Sequence, residues 1–254
     1  MSGHSKWATI KHKKGATDAR RAKVFAKVAR QLEVAARDGG GDPSINATLR
    51  TMVLKAKAAQ MNNDLIDRAI KRGTGQAEGG TYESITYEGY APGGVGLLID
   101  ALTDNRNRTG ADVRNVFSKL GGSLAEPGAV GWQFSRRGVI IAAGGEDEVM
   151  MAALDAGADD VSPDGDLAAG EAGHSWRIMC APSDVYDVRD ALEAAGIKVA
   201  SAESTMVSST TIEVTDLDDA RKILRIVDAL EDNDDVQDVY GNFDISEAIM
   251  EAVG

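Results

Sequence analysis

After residue 73 the hydrophobic period of this chain ceases to be purely helical, and that change limits what it can fold into. Residues 2–16 carry no helical or strand period, and from Asp18 to Gly73 the apolar residues recur at helical spacing. From Ser84 onward alternating or continuous apolar stretches bounded by turn residues also appear, interleaved with further helical ones. Residues 74–81 (TGQAEGGT) carry neither period and read as a linker. The expected fold class is therefore α+β, with a helical region first and strand-bearing domains after it.

Three helices are expected before the linker. Asp18 can cap the first, with Val24, Phe25, Val28, Leu32 and Ala36 as one apolar stripe. Gly39–Gly41 ends it, and Asp42 with Pro43 is expected to open the second, whose stripe is Leu49, Met52, Val53 and Ala56. Asn62 or Asn63 can cap a third, bearing Leu65, Ile66, Ala69 and Ile70 and ending at Lys71, Arg72 and Gly73. A DNA-reading helix-turn-helix is disfavoured, because the glycine-rich link does not suit its tight turn.

Beyond the linker, Ser84–Glu88 alternates, Gly93 and Gly94 turn the chain, and Val95–Leu102 reads as a central strand. Thr109 and Asp112 form a capping box opening a helix with Val113, Val116, Phe117 and Leu120 inside. A short strand is expected near Trp132–Phe134. From Gly138 the order is strand 139–142, helix 146–156, strand 159–162, a turn at Pro163–Gly165, strand 175–180, helix 184–195 and strand 199–204. This is the β-α-β-β-α-β path of the split ferredoxin-like unit. A strand over Met206–Val214, a helix over Asp216–Glu231, a strand over Val236–Tyr240 and a short helix over Ser246–Val253 complete the chain. The economical division is residues 1–78 as basic arm and helical domain, 79–134 plus 205–254 as one discontinuous ferredoxin-like domain, and 135–204 as a second one inserted into it.

Charge follows the same division. Residues 1–75 hold 16 Lys and Arg against 6 Asp and Glu, a net of +10, whereas the remainder nets −22. An acidic body repels nucleic acid, so polyanion binding has to come through the basic end. Within it, Lys6, Trp7, Lys11, His12, Lys13 and Lys14 crowd nine positions. The lysines would neutralise phosphates and the Trp7 indole could stack on a base; the plainer alternative is a solvated terminus whose tryptophan docks on the body. In the body, Arg106 and Arg108 stand out. They fall between a central strand and a helix N-terminus, where anions often bind, unless they pair with Asp104 or brace the helical domain. Residues 138–176 hold nine carboxylates and no Lys or Arg, and their spacing fails the calcium-loop pattern, so a solvated acidic face that repels nucleic acid or meets a basic protein is expected.

No catalytic motif stands out. The glycine-rich stretches lack the phosphate-loop lysine and the dinucleotide spacing, and Cys180, alone of its kind, excludes an intrachain disulfide and a cysteine zinc site. No cofactor or metal is expected. No stretch is apolar enough to span a membrane, the start has no apolar core of a secretory signal, and a cytoplasmic monomer is the expectation.

The start MSGHSKW with KHKK, the GGGDP link at Gly39–Pro43, the run from Asp64 to Gly73, Tyr87–Tyr90 (YEGY) and Thr103–Arg108 (TDNRNR) together resemble the YebC family. That family includes bacterial probable transcriptional regulators and a mitochondrial translational activator. The sequence departs from it at Asn62, where proline is usual. The resemblance spans nearly the whole chain and implies a three-domain crescent and a non-enzymatic role. That role is either DNA-binding regulation of transcription or a ribosome-associated role easing translation through proline-rich stretches. It marks Lys6, Trp7, Lys11, Lys13, Lys14, Arg106 and Arg108 as candidate contacts. RNA on the ribosome is slightly preferred to duplex DNA, with a protein-interaction adaptor acting through the acidic domain as the rival.

Overall fold

The computed structural model of the chain describes residues 18–166 and 174–253. The residues fall into two compact units, one spanning Gln133–Ser209 and the other built from the segments before and after it.

The larger unit begins with three helices, α1 (Asp18–Gly39), α2 (Ala47–Ala58) and α3 (Asn63–Gly73). Val28, Leu32, Ala35, Ala36, Leu49, Ala56, Met61, Ile66 and Ala69 form their shared core. Val24, expected inside, is 45% exposed, because the buried stripe drifts round the helix and is taken up by Ala35. The second helix also starts later than expected. Asp42 and Pro43 make a turn, with Asp42 Oδ1 accepting from Ser44 N, and the cap is Asn46. Asn46 Oδ1 accepts from Leu49 N at 3.0 Å while its Nδ2 donates to Ala35 O and Gly40 O, both at 2.8 Å. A single buried amide thus caps one helix and ties it to the end of another. Asn62 caps α3, accepting from Asp64 N. The α1–α3 approach requires glycine at 73, since a Cβ there would lie 2.2 Å from Glu33 O.

The same unit continues into a four-stranded antiparallel sheet. Its elements are β1 (Glu83–Tyr90), β2 (Gly96–Thr103), α4 (Arg106–Leu120), β3 (Ser123–Ala125), β8 (Ile212–Val214), α7 (Leu217–Glu231), β9 (Val236–Gly241), β10 (Phe243–Ile245) and α8 (Glu247–Val253). The sheet order is β3-β1-β2-β9, and β8 pairs with β10 in a separate parallel ladder. Leu97 and Ile99 of β2, with Val236 and Val239 of β9, pack under Val113 and Phe117 of α4 and Ile223, Ile226, Val227 and Leu230 of α7.

The other unit contains β4 (Phe134–Gly144), α5 (Glu146–Asp155), β5 (Asp160–Asp166), β6 (His174–Cys180), α6 (Val185–Ala194) and β7 (Lys198–Ser208). Its order is β5-β6-β4-β7, all antiparallel. Ile140 and Ala142 alternate inward from β4, and Trp176, Ile178 and Cys180 from β6, to meet Val149 and Ala153 of α5 and Val185, Val188 and Leu192 of α6. At the end where its chain enters and leaves, Phe134 pairs with Ser208, and Ser209 N donates to Gln133 O at 2.8 Å.

The two sheets share a spatial plan but not a chain path. In each, an inner strand (β2 or β4) passes through a helix to the far edge strand, skipping the strand between. The skipped strand follows that crossover in the Gln133–Ser209 unit. In the larger unit it precedes the crossover, as the β1–β2 hairpin, so the expected β-α-β-β-α-β path is not followed there. Three local differences accompany this. Trp132 lies in a 3₁₀ turn (Gly131–Gln133) rather than a strand. Pro163–Gly165 is a register shift within β5 rather than a free turn. The strand expected over Met206–Val214 breaks after Ser208 and resumes at Ile212.

Candidate nucleic-acid interface

Helix α4 begins at Arg106, capped by Asn105, whose Oδ1 accepts from Arg108 N at 3.1 Å. The expected capping box at Thr109 is instead the first buried turn, because Thr109 is drawn inward by Asp235. The two candidate arginines therefore occupy the first turn of a helix and not a free loop.

Their surroundings differ completely. Arg108 Nη2 lies 2.9 Å from Asp104 Oδ1 and 2.6 Å from Asp235 Oδ2. Asp235, 6% exposed, also accepts from Thr109 Oγ1 at 2.7 Å, lies 3.2 Å from the Thr103 hydroxyl, and takes Arg30 Nη1 of α1 at 3.1 Å on its other oxygen. Burial alone would raise the Asp235 pKa; bonds from Arg108, Thr109 and Thr103 outweigh it and hold the carboxyl below its ordinary value. Asp235 thus joins the helical region to the sheet, and Arg108 is committed to it. Sequence reading missed Asp235, since its arginine partners lie about a hundred or more residues away along the chain.

Arg106 faces outward into a shallow groove of about 270 Å³ lined by Tyr87, Asn107, Gly110, Ala111, Arg114 and Leu124. Arg106, Gly110 and Arg114 stand at intervals of four on one face of α4, so two guanidinium groups flank a small-residue floor. Tyr87 Oη donates to Arg106 O at 3.3 Å, and burial raises its pKa, opposed by Arg106. Among the described residues neither Arg106 nor Arg114 enters an ion pair. Arg114 and Tyr87 were not singled out from sequence; the i, i+8 arginine spacing across Gly110 was the available signal.

Much of the basic charge on the helical region is also engaged. Lys23 pairs with Asp232 at 3.1 Å, Lys27 Nζ donates to Glu231 O at 2.7 Å, Arg30 Nη1 donates to Asp234 O at 2.7 Å, and Lys55 sits 3.6 Å from Asp238. Arg72 and Arg37 flank the buried Glu33 at 3.0 and 3.7 Å. Lys23, Lys27, Arg30 and Lys55 thus cover the acidic edge formed by the end of α7 and β9. Lys6, Trp7, Lys11, Lys13 and Lys14 lie outside the described residues.

Burial pushes the Cys180 thiol up to about 11, with Asp184 and Asp159 adding to it, the reverse of an activated thiolate. Among the described residues no group of three His, Cys, Asp or Glu gathers as a metal site. No described helix is long and apolar enough to cross a membrane.

Comparison with known proteins places this architecture. Residues 5–76 match the TACO1/YebC protein N-terminal domain, and residues 82–243 match the TACO1/YebC second and third domain. A probable transcriptional regulatory protein of Rubrobacter xylanophilus is 54% identical over 257 residues, spanning 100% of this chain and 99% of that protein. Another, from Beutenbergia cavernae, is 52% identical over 255 residues, spanning 98% of each. The crystal structure of the conserved hypothetical protein Aq1575 from Aquifex aeolicus superposes with a TM-score of 0.75 at 42% identity, covering 91% of this chain and 93% of that one. It shares the α+β architecture with a helical N-terminal domain. With both family models matched in sequence order and relatives of this identity running end to end, the chain belongs to the TACO1/YebC family.

Proposed function

We propose that this protein is a non-enzymatic, nucleic-acid-binding regulator of gene expression, acting in the cytoplasm as a monomer. The observation that carries this reading is the Arg106–Arg114 pair. Two exposed guanidinium groups flank a groove on one helix face and are neutralised by no described carboxylate, on a chain whose other mapped cations are mostly paired. Two forked donors about two turns apart on one helix face suit phosphates of a backbone lying along it. The arm residues Lys6, Trp7, Lys11, Lys13 and Lys14 supply the larger charge, and Arg108 supports the site by fixing the start of α4. In this reading the helical region, the discontinuous sheet domain and the inserted acidic domain act as three separate modules.

RNA on the ribosome, in a role easing proline-rich stalls, is preferred to duplex DNA, since the groove is shallow and its arginines lie along a helix face rather than on a helix tip that would enter a major groove. The names carried by relatives make DNA-binding transcriptional regulation the competing target. The test is sedimentation of lysate through sucrose at low and high salt. Intact protein is compared with a Lys11/Lys13/Lys14→Glu variant and with Arg106→Glu/Arg114→Glu. Salt-sensitive co-sedimentation with ribosomes, abolished in both variants, is expected. Intact protein remaining at the top while shifting duplex DNA in a gel would hand the reading to transcription.

A protein partner on the acidic unit is a second reading, favoured by one feature of α5. Met150, Met151 and Leu154 are 37%, 68% and 59% exposed, beside Glu146, Asp147, Glu148 and Asp155. An apolar strip with an acidic border suits a basic protein segment. Met151→Asp/Leu154→Asp should then weaken ribosome co-sedimentation while the purified variant binds nucleic acid as before.

A further inference from the structure

We infer that Trp132 and Tyr90 form a rigid platform on which an unstacked base of a single-stranded nucleic acid lies. This inference rests on the nucleic-acid reading above and adds a second contact, by stacking rather than charge. Trp132 is 72% exposed, an unusual cost in apolar surface for a side chain of its size, and Tyr90 is 37% exposed.

Neither ring is loosely held. Trp132 Nε1 donates to Ala129 O at 3.2 Å, and Tyr90 Oη donates to the same oxygen at 3.0 Å. The polar ends of both rings are thus fastened to one carbonyl. That carbonyl sits in a loop held from beneath by Glu88, whose carboxylate accepts from the backbone N–H groups of Gly128, Val130 and Gly131. Glu88 is 9% exposed; burial would raise its pKa, and the three N–H bonds prevail to lower it, so the anchor stays charged. The ordering entropy a stacking residue gives up on binding is already spent in the fold.

The surroundings point to a polyanion. A Cβ on Gly122 would lie 2.7 Å from Tyr90 O, so the end of α4 presses against the end of β1. There Lys119, Lys222 and Arg225 line a groove of about 430 Å³ with Pro92 and Gly121. Lys222 is shared with Asp219 at 3.7 Å; Lys119 and Arg225 enter no ion pair among the described residues. Gly89 faces Phe117, so Tyr90 points to the opposite side of the sheet from this groove, and a single strand stacked on the platform would reach these cations round the end of β1.

The experiment measures binding of full-length protein to a uridine oligonucleotide and to a matched abasic oligonucleotide that keeps the phosphates, across a salt series. Trp132→Ala is expected to weaken the uridine oligonucleotide at least about fivefold, with the salt slope unchanged and the abasic oligonucleotide unaffected. Trp132→Phe, which keeps a ring, is expected to recover most of the loss, and this guards against a folding defect. Equal weakening of both oligonucleotides, or no effect on either while the intact protein binds, overturns the platform and leaves the proposed function standing. Intact protein that binds neither oligonucleotide and no duplex overturns both.

Discussion

Helices α4 and α5 hold equivalent places, each leaving an inner strand of a four-stranded antiparallel sheet, yet they begin in opposite electrostatic styles. Helix α5 opens on Glu146, Asp147 and Glu148, anions at the positive end of the helix dipole, and manages without a side-chain cap on Gly145. Helix α4 opens on Arg106 and Arg108 with no acidic residue in its first turn. It is the unfavourable arrangement, and it is offset by the Asn105 cap and by Asp104 and Asp235 gripping Arg108. A helix start that breaks the local rule, and recruits a buried carboxylate from far along the chain to do so, marks where something other than stability has shaped the sequence.

Removing that compensation should have the largest effect. Asp235→Ala leaves Arg30, Arg108, Thr103 and Thr109 without their buried acceptor and should cost about 1–3 kcal/mol in urea unfolding. The exposed Arg137–Asp159 pair of the other unit, at 3.5 Å, offers the control. Asp159→Ala should cost less than about 1 kcal/mol. Equal losses would erase the contrast between the two helix starts.

Charge reversal separates the two arginines. Arg106→Glu/Arg114→Glu should weaken nucleic-acid binding about fivefold or more for each phosphate left without its guanidinium at physiological salt, and flatten the salt slope, with an unchanged or slightly raised melting temperature. Arg108→Ala should do the reverse, lowering stability first. If Arg108→Ala proves the stronger binding defect at equal stability, the assignment of the two roles is inverted.

Acid should loosen the α4 side before the α5 side. Asp235 and Glu88 both have lowered folded pKa values, so their contribution is complete above the ordinary carboxylate range and is lost as pH falls through the folded values. Unfolding followed from about pH 7 to about pH 3 should show a decline that Asp235→Asn flattens. The smallest effect is reserved for α5: Glu146→Lys and Glu148→Lys should each cost about 0.3–1 kcal/mol at low ionic strength, fading with salt.

These contrasts also explain what the sequence could and could not show. The β4–β7 unit was legible because its apolar alternation and its turn residues agree with each other. The helix starts were misplaced wherever capping residues come in series. Asp42, Ser44 and Asn46 are all plausible caps, and the choice of Asn46 is made by Ala35 O and Gly40 O, groups of a different helix. Thr109 likewise had the composition of a cap, and Asp235 drew it inside. Pairing of Arg108 rather than Arg106 could not be read from two arginines one residue apart. Nor could the exposure of Trp132, which the expected strand over Trp132–Phe134 left undecided between inside and out.

The zipped end of the Gln133–Ser209 unit, where Phe134 meets Ser208 and Ser209 reaches back to Gln133 O, has a consequence for the history and the engineering of this chain. Its entry and exit points are adjacent, so the whole stretch behaves like a cassette. It can be excised and the gap between Trp132 and Thr210 closed by a few residues, without taking a strand from the β3-β1-β2-β9 sheet. A spliced protein of this kind would show which duties travel with the acidic cassette and which stay with its host.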